Sequence, residues 1–262
     1  MSVTEMTFWD HLDELRKVIF RCLGAILIAG IALFTVMPDI FDKVILGPCF
    51  GSFPVYQWLA TLSQYFSIPS SFCDPSFKIK LINIQLTSQF LIHFKISFLL
   101  ATILIFPYIL FEIWHFISPA LYLKEKKSFL FAFILGTLLF YIGISISYWF
   151  IFPISLRFLA GYQVSQFVVN QLSLDSYIST FTSLNLIMGL VFELPMLAFI
   201  LSKLGLIKRS FFKRWRRHAI VLLVFLAAVI TPTGDPFTLS LVAVPLYLLY
   251  ELSGLLVKKD DQ

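Results

Sequence analysis

The stretch Trp114–Lys127, WHFISPALYLKEKK, is a short polar turn between two apolar runs, Phe90–Ile113 and Phe129–Phe152. Each run exceeds the roughly 20 residues that a helix needs to cross the hydrocarbon of a bilayer, so the turn reads as a loop between two membrane spans. Ser118-Pro119 suits the start of a new helix, because serine can cap free N–H groups and proline at the first helical position gives up no hydrogen bond. Glu125 then falls in the first turns of that helix, among Lys124, Lys126 and Lys127. From the residues alone these charges read either as ordinary interfacial anchors with Glu125 as their local partner or as part of a site.

Composition supports the same reading. Of 262 residues, 59% are hydrophobic and only 13% charged, with mean hydropathy +0.88; no soluble class has this profile. The expected class is an all-α polytopic membrane protein. The net charge of +5 reports topology, because the Lys and Arg residues sit in membrane-flanking loops and form no groove of the kind a nucleic-acid reader needs. Residues 1–17 are polar, mixed in charge and followed by a full-length span, which predicts that no signal peptide is cleaved.

Along the chain, Phe8, Leu12, Leu15 and Ile19 recur at helical spacing and predict an amphipathic helix whose polar face carries Asp10, Asp13, Glu14 and Lys17. Spans follow at about 18–37, ended by Pro38, then 90–113, 129–152, 178–201, 218–230 and 237–257, within one integral membrane domain. An aromatic, Pro- and Ser-rich cap over 38–89 and a loop over 153–177 lie on the far side. Lys203–Arg217 carries seven Lys/Arg and no acid, so the positive-inside rule makes it cytoplasmic. An even number of spans puts both termini there too, and fifteen of the 20 Lys/Arg fall on that side. The apolar part of the fifth span, His218–Ile230, is short for a bilayer.

Glu193-Leu194-Pro195 places a carboxylate beside a proline kink inside the fourth span. A central acid costs roughly 2.5–3.5 kcal/mol on insertion scales, so it reads either as hydrogen-bonded within the bundle or as a polar spot for a partner's helix. Cys49 and Cys73 share the cap and suit a disulfide in an oxidising compartment. His11, His93, His115 and His218 stand apart, with no HExxH, GxSxG or GxxxxGK[ST] pattern. No metal, cofactor, nucleotide or enzymatic chemistry is therefore expected. The ionisable residues Lys95, Glu112, Glu193 and Glu251, in or bordering spans, keep a small-solute or ion transporter as the rival reading.

His11-Leu-Asp-Glu-Leu-Arg-Lys17, Phe106-Pro with Trp114, Pro119-Ala-Leu-Tyr122 and Glu125-Lys-Lys127, Phe192-Glu-Leu-Pro195, Ile230-Thr-Pro-Thr-Gly-Asp235 and Leu249-Tyr-Glu251 follow one another over essentially the whole chain. In order and spacing they resemble the TatC family, the polytopic subunit of the twin-arginine protein translocase. The resemblance implies six helices in a concave, glove-like bundle in the bacterial inner membrane. It implies a cytoplasmic receptor for the twin-arginine signal peptides of folded precursors, with export driven by the proton-motive force. Glu14 and Glu125 match the carboxylates that receive the arginines, and guanidinium fits a carboxylate bidentately where lysine does not. Leu12, Arg16, Phe116, Pro119 and Tyr122 match positions that shape the same surface. The implied partners are small single-span TatA/TatB-type subunits, membrane lipids and further copies of the chain, with no nucleic acid. Glu193, Thr231 and Asp235 are the polar positions that such partner helices would meet. The chain departs from the usual pattern at Val18, at Leu239 and by an inserted Gly234.

Overall fold

The computed structural model describes residues 8–66, 78–120, 123–165, 167, 170–231 and 234–257, without the side chains of Phe8, Asp10, 62–66, Ala120 and 123–125. Its α-helices are α1 (Phe8–Ile40), α2 (Pro54–Phe66), α3 (Ser88–Ile117), α4 (Leu123–Ile146), α5 (Phe152–Gly161), α6 (Leu174–Val191), α7 (Leu194–Lys203), α8 (Arg209–Ile230) and α9 (Pro236–Leu256). Among the described residues, five helical stretches are long and apolar enough to cross a membrane: His11–Cys49, Ser88–Ile117, Lys126–Gly161, Leu174–Lys203 and Pro236–Leu256. The surface agrees, since Phe20, Leu27, Ile28 and Ile31 of α1 are all exposed. Hydrocarbon covers such a stripe at little cost, whereas water does not.

Two expectations about the spans need correction. Pro38 does not end the first helix, because α1 passes it and continues into a π-helical turn, Phe41–Ile45. The third span also continues, through a second π turn, Ser147–Ile151, into α5, so the expected loop over 153–177 is helical in its first part. Each π turn lies next to a proline, Pro38 or Pro153. Proline has no N–H and crowds the carbonyl one turn earlier, so the hydrogen-bond ladder shifts register and leaves carbonyls over.

Tyrosines take up carbonyls around these helix ends, Tyr177 and Tyr56 from buried positions and Tyr148 from a half-buried one. The Tyr177 hydroxyl donates to Ile45 O at 2.5 Å and Tyr148 donates to Val44 O at 2.9 Å. The single hydroxyl proton of Tyr56 is shared between Pro48 O at 2.9 Å and Pro153 O at 3.0 Å. The guanidinium of buried Arg157 lies 4.7 Å from the centre of the Tyr56 ring. Two loops are stitched across the same end by a short parallel pairing of β1 (Leu81–Ile82) with β2 (Leu172–Ser173), an element that an all-α reading did not include. Cys49 is buried here with a free thiol; Cys73, the other half of the expected bridge, lies outside the described residues.

The centre is packed through small residues. A Cβ at Gly143 of α4 would sit 2.7 Å from Met188 O of α6, and one at Gly189 of α6 would sit 2.8 Å from the Phe140 ring. Backbones can approach this closely only where side chains are missing, which is how helices associate in lipid. Phe140 and Phe106 stack at 3.4 Å beside this crossing. Pro195 interrupts the next helix as expected, with Phe192–Glu193 forming the turn between α6 and α7. Asp235 and Pro236 start α9, the carboxylate accepting from Thr238 N at 2.7 Å. The inserted Gly234 has φ +59°, a left-handed conformation that glycine adopts without strain.

Candidate functional site

The antiparallel helices bring the start of α1, the end of α3, the start of α4, the start of α8 and the end of α9 to one end of the molecule, opposite the tyrosine-locked cap. Lys17, Lys126, Lys127, Lys203 and the bases of α8 all lie at this basic end.

Helix α1 lies along α3, and the pairing is fixed at both ends by side-chain contacts. Toward the cap, Phe34 and His93 stack at 3.9 Å, and the His93 ring nitrogen meets Phe34 O at 2.9 Å. At the basic end the His11 ring stacks on Phe116 at 4.3 Å. Between them Arg21 reaches Glu112 at 2.8 Å, and Glu112 accepts a hydrogen bond from Tyr108 at 2.6 Å. The Glu112 side chain is 8% exposed and that of Arg21 43%, so the carboxylate is held inside while the guanidinium reaches out.

Of the expected binding residues, Leu12, Glu14 and Arg16 project from the first turns of α1, and Leu12 and Arg16 are exposed. Glu14 is partly exposed and pairs with Lys17, one turn on, at 2.7 Å. The Arg16 guanidinium lies 5.6 Å from the Phe20 ring centre. The stack of His11 on Phe116 sets this row beside the end of α3, where Ser118–Ala120 forms a 3₁₀ turn that presents Pro119 to solvent. The backbone of Glu125 is in the first turn of α4; its side chain, and Tyr122 entirely, lie outside the described residues. The structure thus joins Leu12, Glu14, Arg16, Phe116 and Pro119 at one end of one helix pair. What this surface can do chemically is offer a carboxylate, exposed and loosely held, to an incoming cation.

Sequence reasoning missed the cluster of Arg21, Glu112 and Tyr108 and the role of His11. A signal was present: opposite charges stranded near the same end of two neighbouring apolar runs seek each other, and Tyr108 stands four residues before Glu112 on one helical face. Glu112, one of the ionisable residues behind the transporter reading, is paired with Arg21, whose guanidinium still reaches outward. Glu251 is likewise paired, with Arg216 at 2.6 Å, and Lys95 is exposed. Glu193 is the one of these four that is buried and has no hydrogen-bond partner among the described residues.

Glu193 lies elsewhere, between α6 and α7. It is 7% exposed, and among the described residues neither carboxylate oxygen has a hydrogen-bond partner. It occupies the space left by Gly136 of α4, where a Cβ would come within 2.6 Å of its Oε2. Thr231 and Asp235 both close the α8–α9 hairpin: the Thr231 hydroxyl donates to Ala227 O at 3.0 Å, and Asp235 caps α9. Pro232 and Thr233 between them lie outside the described residues. Among the described residues no group of three or more His, Cys, Asp or Glu side chains could hold a metal ion.

Comparison with known proteins agrees with this geometry. The family model described as Sec-independent protein translocase protein (TatC) matches residues 10–245. The chain is 36% identical over 250 residues to the Sec-independent protein translocase protein TatC of Blattabacterium sp. subsp. Periplaneta americana, covering 95% of this chain and 94% of that one. Against the protein of the same name from Helicobacter pylori strain 26695 it is 35% identical, covering 95% and 86%. Among solved structures it superposes on the twin-arginine translocase receptor TatC crystallised in DDM with TM-score 0.75 and 32% identity, covering 95% of this chain and 99% of that one.

Proposed function

The chain belongs to the TatC family of Sec-independent protein translocase proteins, and on that premise we propose that its basic end is the receptor surface for twin-arginine signal peptides. It is a multi-pass membrane component of the Tat translocase. In the proposed topology it crosses the bacterial inner membrane six times as a glove-like bundle, with α8 as the fifth crossing and both termini in the cytoplasm. The basic end then faces arriving precursors.

The observation that carries the proposal is the state of Glu14. It is held at the open end of α1, fixed beside α3 by the stack of His11 on Phe116, and its partner among the described residues is the exposed Lys17. An exposed ion pair contributes little and exchanges readily. An arginine that binds both carboxylate oxygens can replace the point charge of Lys17. Glu125, in the first turn of α4, is the proposed second acceptor, and Leu12, Arg16, Phe116, Pro119 and Tyr122 shape the surface between them. The acids of α1 offset the lysines around Glu125.

The Glu193 carboxylate, without a hydrogen-bond partner among the described residues, is the proposed polar contact for the single helix of a TatA/TatB-type subunit, with Thr231 and Asp235 at the α8–α9 hairpin as further polar positions for such a helix. Several copies of the chain, with such subunits, would form the receptor complex, and export would draw on the proton-motive force.

The test is binding of a twin-arginine peptide to Glu14→Gln, Glu125→Gln and the double variant. Each single change should weaken binding while leaving insertion and folding intact, and the double change should weaken it most. Unchanged affinity in the double variant would falsify the assignment.

A further inference from the structure

We propose that the groove between α8 and α9 is a binding site for an anionic phospholipid, with the phosphate headgroup at the basic end and one acyl chain below it.

Two cavities lie between these helices. One, of about 360 Å³, is walled by Arg209, Lys213 and Arg216 of α8 and by Tyr250, Glu251 and Leu255 of α9. The other, of about 450 Å³, lies between Ile220, Leu223 and Val224 of α8 and Ala243, Val244 and Leu248 of α9. Their walls are successive parts of the same faces. Arg209, Lys213, Arg216, Ile220 and Val224 follow at steps of four, three, four and four, and Val244, Leu248, Glu251 and Leu255 at steps of four, three and four. These are the steps that keep side chains on one stripe of a helix. The two cavities are therefore the cationic and the apolar stretch of one groove.

The charge balance calls for an anion. Glu251 neutralises Arg216 at 2.6 Å, while among the described residues Arg209 and Lys213 make no ion pair. The cavity also lies at the start of α8, and the cap residue before it, Lys208, makes no side-chain capping bond among the described residues, so the helix adds its own positive end. Basic pockets between membrane helices are suited to acidic lipid headgroups. The apolar stretch supplies the complement: Val244 and Leu248 are 61% and 62% exposed along its rim, as expected of side chains that meet hydrocarbon. Lys213 and Leu223 are ten residues apart, about 15 Å along the helix axis, a span that an acyl chain leaving its phosphate covers. An apolar partner helix could fill the lower stretch but would leave Arg209 and Lys213 without a counter-charge, so the lipid accounts for both halves.

The experiment is native mass spectrometry of the full-length protein released from detergent with phosphatidylglycerol, with phosphatidylcholine as comparator. Arg209→Gln with Lys213→Gln should lower phosphatidylglycerol occupancy about tenfold or more, since each basic residue near the surface contributes on the order of a kilocalorie. Arg209→Lys should retain it. Ala243→Phe, which fills the apolar stretch and keeps every charge, should lower it as well, and phosphatidylcholine should change in none of these. Occupancy that survives both the double Gln and the Phe variants overturns the site. Displacement of the lipid by an equal concentration of glycerol phosphate overturns the acyl-chain half and leaves a free-phosphate pocket. Loss of a co-purifying single-span subunit in Ala243→Phe, with phosphatidylglycerol unchanged, assigns the groove to a protein helix instead.

Discussion

The two ends of this molecule satisfy their polar groups in opposite ways. At the capped end the donors are tyrosines and the acceptors are backbone carbonyls, Tyr177 to Ile45 O and Tyr148 to Val44 O, each across more than a hundred residues of sequence and the first fully buried. At the basic end the ion pairs join side chain to side chain, and one partner at least is open, as with Glu14–Lys17, Arg21–Glu112 and Arg216–Glu251. A buried hydroxyl that loses its carbonyl has nothing to replace it, whereas an exposed lysine can yield to another cation. Stability is thus concentrated at one end, and the capacity to exchange partners at the other.

The contrast is broken most severely at the cap. Tyr177→Ala removes a 1%-exposed ring and should cost about 3–5 kcal/mol of stability, the range for deleting a buried aromatic. Tyr177→Phe keeps the ring and orphans Ile45 O, which should cost about 1–3 kcal/mol. Denaturant titration of both variants in detergent checks this. If the Phe variant matches the parent, the tyrosines contribute packing and not hydrogen bonds, and the contrast between the ends dissolves.

Next in size is the ion pair of α1 with α3. Arg21→Gln leaves the nearly buried Glu112 with Tyr108 alone, and Arg21→Gln with Glu112→Gln removes the charge as well. The single variant should be less stable than the double, because an unpartnered inner carboxylate is worse than a neutral pair. A double-mutant cycle on thermal midpoints measures it, and additive effects would show that the pair is not coupled.

A third expectation compares helices at the basic end. The apolar part of α8, His218–Ile230, is about 13 residues long and rises only about 20 Å, against about 30 Å of hydrocarbon. Arg216, Arg217 and the neighbouring bases lie immediately before it. Spin labels along this segment should report bilayer thinning around α8 and not around α3; full-thickness burial of the segment would remove the effect.

What could be read from the sequence follows from where the signal is local. Hydropathy located the five long apolar helices, and Pro195 located the break beside Glu193, because both act within a turn or two of the residue. Charge counting separated the basic end from the rest, and motif order led to the family. The locks of the cap were not legible: nothing near Tyr177 points to Ile45, 132 residues away, and a proline in a span reads equally well as a stop, as Pro38 was, or as the passage it turned out to be. The pairing of Arg21 with Glu112 was half legible, two stranded charges without the register that joins them. At the proposed binding surface, sequence pointed to the start of α1 but missed that His11 and Phe116 hold it against α3.

The smallest expected effect sharpens the contrast most. If the basic end works by exchange, Lys17 is the occupant that a signal-peptide arginine must displace from Glu14. Lys17→Gln should then leave the unfolding midpoint unchanged, because the pair is exposed on both sides and such pairs hold little together. It should also raise the affinity for a twin-arginine peptide modestly, since Glu14 no longer has an intramolecular competitor. The gain should shrink as salt rises, as screening weakens the competing pair in the parent protein. Lysine in place of the peptide's arginines should benefit less, for want of a bidentate fit to the freed carboxylate. Isothermal titration at two ionic strengths separates the cases. An affinity that falls in Lys17→Gln would mean that Lys17 positions Glu14 for the peptide, and the basic end would then be as preorganised as the cap.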